Sequence, residues 1–301
     1  MKFLIFGGSG FIGSYLTKYI NKNGGEAVPA SRSGGENGIA VDICDEKSFG
    51  AINFQPDVIV NCASIVPQKG KSSKDPEFLK ELFLTNTVGA VNIANWAVKN
   101  KISQIINCST LVVVKKPWPN PLKEEYEALP GGAHAGYCMS KLSQEQLMDE
   151  CVANGDVKLT HVRLSAVYGE EMVPEGIIFN ILKKLMKNEE VQLIDAEKNT
   201  VDFINVEDVC RGIYAIGRST SQYNRINLAS GEPVSIYNLA VQLKELTHSD
   251  SPIVNSVSSE VGSEANIDIS RLQQVIGSTY NSFIPLKEGL DNVVSKFKRE
   301  N

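Results

Sequence analysis

The chain is predicted to be an α/β protein, a doubly wound parallel sheet carrying a small, discontinuous C-terminal lobe. Three observations carry this prediction. Short, fully apolar runs such as Phe3-Leu4-Ile5-Phe6 alternate with amphipathic stretches through the first half, the pattern of buried parallel strands wrapped by helices. A glycine-rich turn, Gly7-Gly8-Ser9-Gly10-Phe11-Ile12-Gly13, directly follows the first of these runs. After Gly169 the alternation weakens, which marks a segment of different organisation.

Taken in order, Lys2–Phe6 reads as the first strand, Phe11–Asn23 as a helix and Glu26–Ser31 as the second strand. Asp57–Asn61, introduced by Pro56, is a further strand. Leu79, Leu82, Phe83, Asn86 and Ala90 recur at helical spacing, so one long helix is expected from about Phe78 to Lys99. Ile102–Cys108 is the next strand. A loop rich in proline and glycine runs from Lys115 to Gly136, ahead of a helix from about Tyr137 to Ala153 and a strand over Leu159–Leu164. Beyond Gly169, Pro174–Asn188 and Val234–Thr247 look helical, and serine-rich Ser249–Gly262 reads as a loop with a short strand at most. The expected division is a dinucleotide-binding domain over 1–169, also receiving about 200–218, and a smaller substrate lobe from 170–199 and 219–301. A lobe this irregular is expected to sit over the sheet.

The 301 residues suffice for a large core, and 42% hydrophobic with 22% charged residues is ordinary for a globular enzyme. A net charge of -5 and the lack of a Lys/Arg run argue against nucleic-acid binding. Lys183, Lys184 and Lys187 read as a solvated helix face. No stretch reaches the roughly 18 apolar residues of a membrane span. Met1-Lys2 runs straight into the first strand, so no targeting signal and a cytoplasmic location are expected. The six cysteines show neither C-x-x-C nor metal-ligand spacing, which predicts reduced thiols and no metal.

The glycines at 7, 10 and 13 sit between a strand and a helix. The first permits a tight turn, the next lets backbone approach a pyrophosphate, and the last lets helix and strand pack closely. The helix N-terminus adds N–H groups aimed at the phosphates. At the end of strand two, where a carboxylate normally bonds the ribose of NAD, stands Ser31-Arg32-Ser33. A guanidinium there can grip a 2′-phosphate with two parallel hydrogen bonds, which favours NADP(H) and leaves NAD possible. Asp42-Ile43 follows the next apolar segment, where the carboxylate either accepts from an adenine amino group, with Ile43 against the ring, or caps its own turn.

Tyr137 and Lys141 are four apart and share one helix face. A phenol of ordinary pKa ~10 is a poor acid–base catalyst at neutral pH. A neighbouring ammonium and the positive charge of an oxidised nicotinamide would bring it toward working range. Ser109-Thr110 ends the strand before that helix, so a hydroxyl there can hold the substrate oxygen.

In these motifs the chain resembles the extended short-chain dehydrogenases/reductases of the NAD(P)-dependent epimerase/dehydratase family. The resemblance runs through Gly7–Gly13, Asp42-Ile43, Asp57-Val-Ile-Val-Asn-Cys-Ala63, Asn86-Thr-Val-Gly89, Ser109-Thr110 and Tyr137/Lys141. It continues through Arg163-Leu-Ser-Ala-Val-Tyr-Gly169, Asp202-Phe-Ile-Asn-Val-Glu-Asp208 and Asn227-Leu-Ala-Ser-Gly231. It implies a Rossmann-type fold, Tyr137 as proton donor and acceptor, Lys141 as its partner and Thr110 as the hydroxyl on the reacting oxygen. It further implies that Cys62, Ala63 and Ser64 line the cofactor, that Asn86 contacts it from its helix, and that Leu164 and Ser165 lie near the nicotinamide. Asp208 is expected to hold the fold at the lobe junction.

Relatives that dehydrate nucleotide sugars carry an Asp-Glu pair just after the threonine. Here Leu111-Val112 stands there and moves no proton, so dehydration is not expected. A carbonyl reductase and an epimerase that retains NAD remain, and Arg32 tilts the expectation toward the reductase. The expected substrate is a nucleotide sugar, with a less charged sugar derivative or another ketone or aldehyde as the alternative. Ala166 and Val201 stand where such relatives have Asn and Arg, and Val261–Asn266 lacks an arginine often found there. Each lost charge-assisted hydrogen bond to phosphate is worth ~1.5–3 kcal/mol. Lys183 or Lys187 would have to compensate. A reading of another class, a dinucleotide-binding regulatory subunit without turnover, is opposed by the presence of Tyr137, Lys141 and Thr110 together. The resemblance also implies a homodimer through the helices at about 78–100 and 137–153. The 115–136 loop, with Trp118 among four prolines, is either a cover for the active site or a rigid surface excursion.

Overall fold

The computed structural model describes residues 1–35, 37–67, 70–71, 75–132, 134–259, 261–277 and 282–300. β1 (Lys2–Phe6) is buried from Phe3 onward and passes through the glycine turn into α1 (Phe11–Lys22). β2 (Glu26–Ser31), the two-residue β3 (Ile39–Ala40) and β4 (Val58–Asn61) follow. Asp75 caps α2 (Pro76–Phe83) by accepting from the Glu77 N–H at 3.1 Å, and Pro76 presets the first turn.

The single helix expected over 78–99 is interrupted. A π turn at Leu84–Val88 separates α2 from α3 (Gly89–Lys99). The extra residue turns Asn86 and Thr87 inward together, where both are buried and hydrogen-bonded to neighbouring segments. β5 (Gln104–Thr110) lies two residues further along than predicted. Lys101 has φ 53° and the Ile102 N–H returns to Ala97 O, so this stretch closes α3 instead of opening the strand. At its other end Ser109 and Thr110 stay paired with the next strand.

The chain continues through α4 (Ala135–Val152), β6 (Lys158–Leu164), β7 (Ala166–Tyr168), α5 (Gly176–Leu185), β8 (Val191–Ile194) and β9 (Thr200–Asn205). Then come α6 (Val206–Arg218), β10 (Arg225–Leu228), β11 (Pro233–Ser235), α7 (Ile236–Thr247), β12 (Ile253–Ser256), α8 (Ser270–Ile276) and α9 (Leu286–Glu300). Asn205 and Ser235 cap α6 and α7 through the Glu207 and Asn238 N–H groups.

Among the described residues seven parallel strands form the main sheet, in the order β10-β6-β5-β4-β1-β2-β3. The chain builds outward from β1 in one direction, then returns to β4 and builds in the other. The crevice beyond the carboxyl ends of β1 and β4 is therefore the topological switch point, where ligands bind in such sheets. One face of the sheet packs under α1, α6 and α8 in a core containing Phe3, Ile5, Leu16, Val209 and Leu272. The other face packs under α3 and α4 in a core containing Leu4, Phe6, Ile93, Ala94 and Met148.

A separate core gathers Phe179 and Leu182 of α5, Leu239 and Leu243 of α7, and Leu290 and Val293 of α9 around Tyr168 and Phe203. Two segments fall on the other side of the expected division. β10, expected in the lobe, pairs with β6 because Ile226 and Leu228 complete the core under α6. β9, expected with the sheet, lies between β7 and β11 in a three-stranded sheet, and Phe203 joins this separate core. Among the described residues no helix is long and apolar enough to cross a membrane, and no acidic, histidine or cysteine cluster suits a metal ion.

Candidate active site

The glycine turn is built by backbone contact. Gly7 has φ 74°, its carbonyl accepts from the Gly10 N–H at 2.9 Å, and the Gly8 N–H bonds to Ala30 O. A Cβ on Gly7 would lie 2.6 Å from the Ala63 nitrogen, and one on Gly13 would lie 2.2 Å from Gly7 O. The turn is thus pressed against Cys62-Ala63 at the end of β4, and α1 is pressed against the turn. No side chain caps the N-terminus of α1, and Ser9 and Gly10 are exposed in front of it. Phe11 and Ile12 are half-buried, with the Phe11 ring against Gly169.

At the end of β2, Arg32 is exposed, and the buried Ser31 Oγ has no hydrogen-bond partner among the described residues. Asp42 closes its own turn: its Oδ1 accepts from the Cys44 N–H at 2.9 Å. Ile43 is buried against Gly89, where a Cβ would meet its side chain at 2.6 Å, so it serves the core beneath α3. Of the two roles open to Asp42 in the sequence, the turn cap is the one with a visible partner.

Asn86 is fully buried and joins three segments. Its Oδ1 accepts from the Ile65 N–H at 2.7 Å and from Ser64 Oγ at 3.2 Å, while its Nδ2 donates to Ile65 O and to Ser140 Oγ. Its side chain therefore holds the strand-end segment of Cys62, Ala63 and Ser64 against α4. The Cys62 and Cys108 sulfurs, on neighbouring strands, lie 3.6 Å apart.

Tyr137, Thr110 and Lys141 come together at the carboxyl end of β5. Tyr137 faces Thr110, whose hydroxyl favours the phenolate form. Lys141 is buried, and its Nζ donates to Cys108 O at 2.6 Å. Within the chain alone burial dominates: it pushes the Tyr137 phenol up, with the Thr110 hydroxyl opposing, and draws Lys141 down to about 8. The expected lowering of the phenol is not supplied by the protein's own groups. Leu164, paired with Thr110 across β5 and β6, is nearly buried.

Behind this group lies a network the sequence reading did not single out. Glu145, one turn beyond Lys141 on α4, takes the Arg163 guanidinium in a two-point contact at 3.1 and 2.8 Å, and accepts from Ser109 Oγ at 2.5 Å. Burial raises its carboxyl, but Arg163, His161 and Ser109 together hold it at about 2. The residue beside Thr110 is thereby tied to the helix that carries Tyr137. The available signal was an acidic residue in phase with Tyr137 and Lys141.

A cavity of ≈ 480 Å³ opens beside Tyr137 and Thr110. Leu111, Val112, Val114, Ala166, Val201 and Ile267 make much of its wall apolar. Its polar side is Ser165, Asp202, Lys115, Lys116 and His134. The 115–136 loop therefore forms one side of the cavity, through Lys115, Lys116, Trp118, Gly131, Gly132 and His134. Asp202 accepts from Ser165 Oγ at 2.8 Å and from the Ser230 and Gly231 N–H groups at 2.9 and 2.8 Å. Burial raises its carboxyl against those bonds. Lys183 and Lys187 do not line this cavity; Lys183 Nζ donates to Pro174 O.

Residues 3–229 match the family model described as NAD dependent epimerase/dehydratase family. A UDP-N-acetyl-alpha-D-glucosaminuronate decarboxylase of Bacillus cytotoxicus is 27% identical over 84% of this chain and 82% of its own length. UDP-glucuronic acid decarboxylase 1 of Xenopus tropicalis is 25% identical over 99% of this chain and 72% of its own. Among solved structures, UDP-glucuronic acid 4-epimerase from Bacillus cereus, in complex with UDP-glucuronic acid and NAD, superposes with a TM-score of 0.82 at 21% identity over 100% of both chains. With a glycine turn at the switch point, a Tyr/Lys/Thr group beside a cavity and a family match over most of its length, the chain belongs to the NAD-dependent epimerase/dehydratase family, an enzyme of the extended short-chain dehydrogenase/reductase type.

Proposed function

We propose that the enzyme oxidises one alcohol carbon of a nucleotide sugar and reduces it again, an epimerase-type cycle with NAD. The observation that carries this reading is the meeting of Tyr137, Thr110 and Lys141 beside a cavity in which the adjacent Leu111 and Val112 cannot move a proton. Elimination of water needs such a group, whereas oxidation and re-reduction at one carbon do not.

The residues fit a dinucleotide. The turn of Gly7, Ser9, Gly10, Phe11, Ile12 and Gly13 leaves an uncapped helix N-terminus facing the switch point, and Ser31 Oγ is a buried polar atom without a partner. When bound, an oxidised nicotinamide dinucleotide supplies a hydride acceptor and a positive charge near the phenol. Gly7–Gly13 would hold its pyrophosphate, Arg32, Asp42 and Ile43 would lie toward its adenosine, and Cys62, Ala63, Ser64 and Leu164 would line the nicotinamide end. Asn86 supports that lining through Ser64 and Ile65.

In the reading proposed here, Thr110 Oγ1 holds the substrate hydroxyl while Tyr137 Oη takes its proton. The same pair returns the proton when the carbon is reduced from the other face. Lowering the phenol requires the positive charge of the bound oxidised nicotinamide, with Lys141 one turn along the same helix as its partner. A second reading, a net reductase using NADPH, rests on Arg32, which stands exposed where a 2′-phosphate would lie. The relatives named above are decarboxylases and an epimerase, so the cycling reading is preferred.

The test is incubation of the purified enzyme with NAD and UDP-sugars, followed by NMR of the sugar stereocentres. Epimer formed without net NADH supports the proposal, and stoichiometric NADPH consumption supports the reductase. Tyr137→Phe should lower turnover at least 100-fold; unchanged turnover would remove the catalytic assignment and revive a binding-only subunit. We also assign the core around Tyr168 and Phe203 to a substrate lobe. A homodimer through α2–α3 and α4 is supported by Leu84, Val88, Met139 and Leu147, each 44–50% exposed on those helices or the π turn.

A further inference from the structure

We propose that Lys115 and Lys116 form the anion-binding end of the substrate cavity, with Trp118 holding the Lys116 ammonium at its rim. This rests on the reading of the cavity as the substrate site. Three observations carry it. Lys115 and Lys116 are the lysines of a cavity whose wall has Ala166 and Val201 and no arginine. Its one carboxylate, Asp202, is turned to Ser165 and the Ser230–Gly231 backbone, so it faces neither lysine in an ion pair. Among the described residues neither lysine has a carboxylate partner, although both leave the catalytic strand only a few residues after Thr110.

The local geometry holds these chains in place. The Trp118 indole N–H donates to Val114 O at 2.7 Å, which fixes the ring, and the Lys116 ammonium lies 4.4 Å from the centre of an indole ring so oriented. Lys115 is anchored through its own N–H to Leu129 O, and its side chain lies close over Gly131. Desolvation pulls the Lys116 ammonium down, with no neighbouring charge to oppose it. Both lysines are exposed where they line the cavity, so an anionic oxygen reaches them from solvent. The ligand chemistry is a phosphate or carboxylate oxygen, from the diphosphate of a nucleotide sugar or from the carboxylate of a uronic acid.

The experiment is calorimetric titration of the full, NAD-loaded chain with UDP, UDP-glucose, UDP-glucuronic acid and free glucuronate. Wild type is compared with K115Q, K116Q, K115Q/K116Q and K116R. At least one anionic probe should bind wild type and bind the double variant at least tenfold more weakly, while K116R restores affinity to within about threefold. The expected range for a lost charge-assisted contact is about 10- to 100-fold. Equal losses for the three UDP ligands assign the diphosphate; losses confined to UDP-glucuronic acid and glucuronate assign the carboxylate. NAD titration reports whether each variant keeps its fold, and the single variants are read by the same criterion if the double variant fails it. The proposal is overturned if every probe that binds does so within twofold in the lysine variants, or if no anionic probe binds wild type. Lysine-dependent binding without epimerisation would leave this inference standing and remove the proposed reaction.

Discussion

Lys141 is buried beside Thr110 and Tyr137, and its position has a consequence for pH. Its ammonium titrates at about 8 in the folded chain, below its ordinary 10.5, because burial disfavours the charge. Between these values the unfolded chain binds a proton that the folded chain does not, so stability rises with pH across the window of about 8 to 10.5. Urea melts should show wild type gaining on Lys141→Met by up to about 1.4 kcal/mol per pH unit there. Parallel curves for the two proteins would mean that Lys141 is not desolvated as the structure has it. Much of this residue scale was legible in sequence, because Y-x-x-x-K spacing and a hydroxyl at a strand end are local facts. What spacing could not show are the bonds that engage Asn86 with Ser64, Ile65 and Ser140. Those depend on segments brought together only by the fold.

Among elements, α4 matters most, since it carries Tyr137, Lys141 and Glu145 in phase along one face. Glu145 fastens it to β6 through Arg163 and to β5 through Ser109. Its carboxyl sits at about 2 against an ordinary 4.5, so its contribution is complete above about pH 4.5 and is lost as pH falls toward 2. Glu145→Gln should destabilise the protein by about 3–5 kcal/mol at pH 7 by leaving Arg163 buried without its partner. It should also flatten the acid limb of the stability profile. A loss under 1 kcal/mol in denaturant melts would contradict this account. The positions of β1, β2, β4, β5 and β6 are readable from apolar runs to within two residues, whereas the short β3 and β10 are not singled out. The π turn is not readable, because its cause is the inward anchoring of Asn86 and Thr87 and not any residue with an intrinsic preference for that geometry. β8 and β11 were also missed, being short and only partly buried, and β9 because the polar Thr200, Asp202 and Asn205 interrupt its apolar run.

For the whole molecule the open question is assembly. Leu84 and Val88 on the π turn, with Met139 and Leu147 on α4, leave apolar area exposed on neighbouring helices. If that area joins two copies, Leu147→Glu should convert a dimer of about twice 32.9 kDa to monomer in light scattering without unfolding it. A monomeric wild type at micromolar concentration would refute the interface. The fold class was legible from the glycine turn and the alternation of apolar runs, but the traffic between sheet and lobe was not. Periodicity does not say which sheet a short strand joins.

That traffic has a consequence for how the molecule is made. β6 waits at the sheet edge until β10 emerges from the ribosome some sixty residues later, and the lobe core lacks Leu290 and Val293 until α9 appears. A nascent chain halted before α9 would therefore expose the apolar faces of α5 and α7, a substrate for chaperones, with every strand of the main sheet already synthesised.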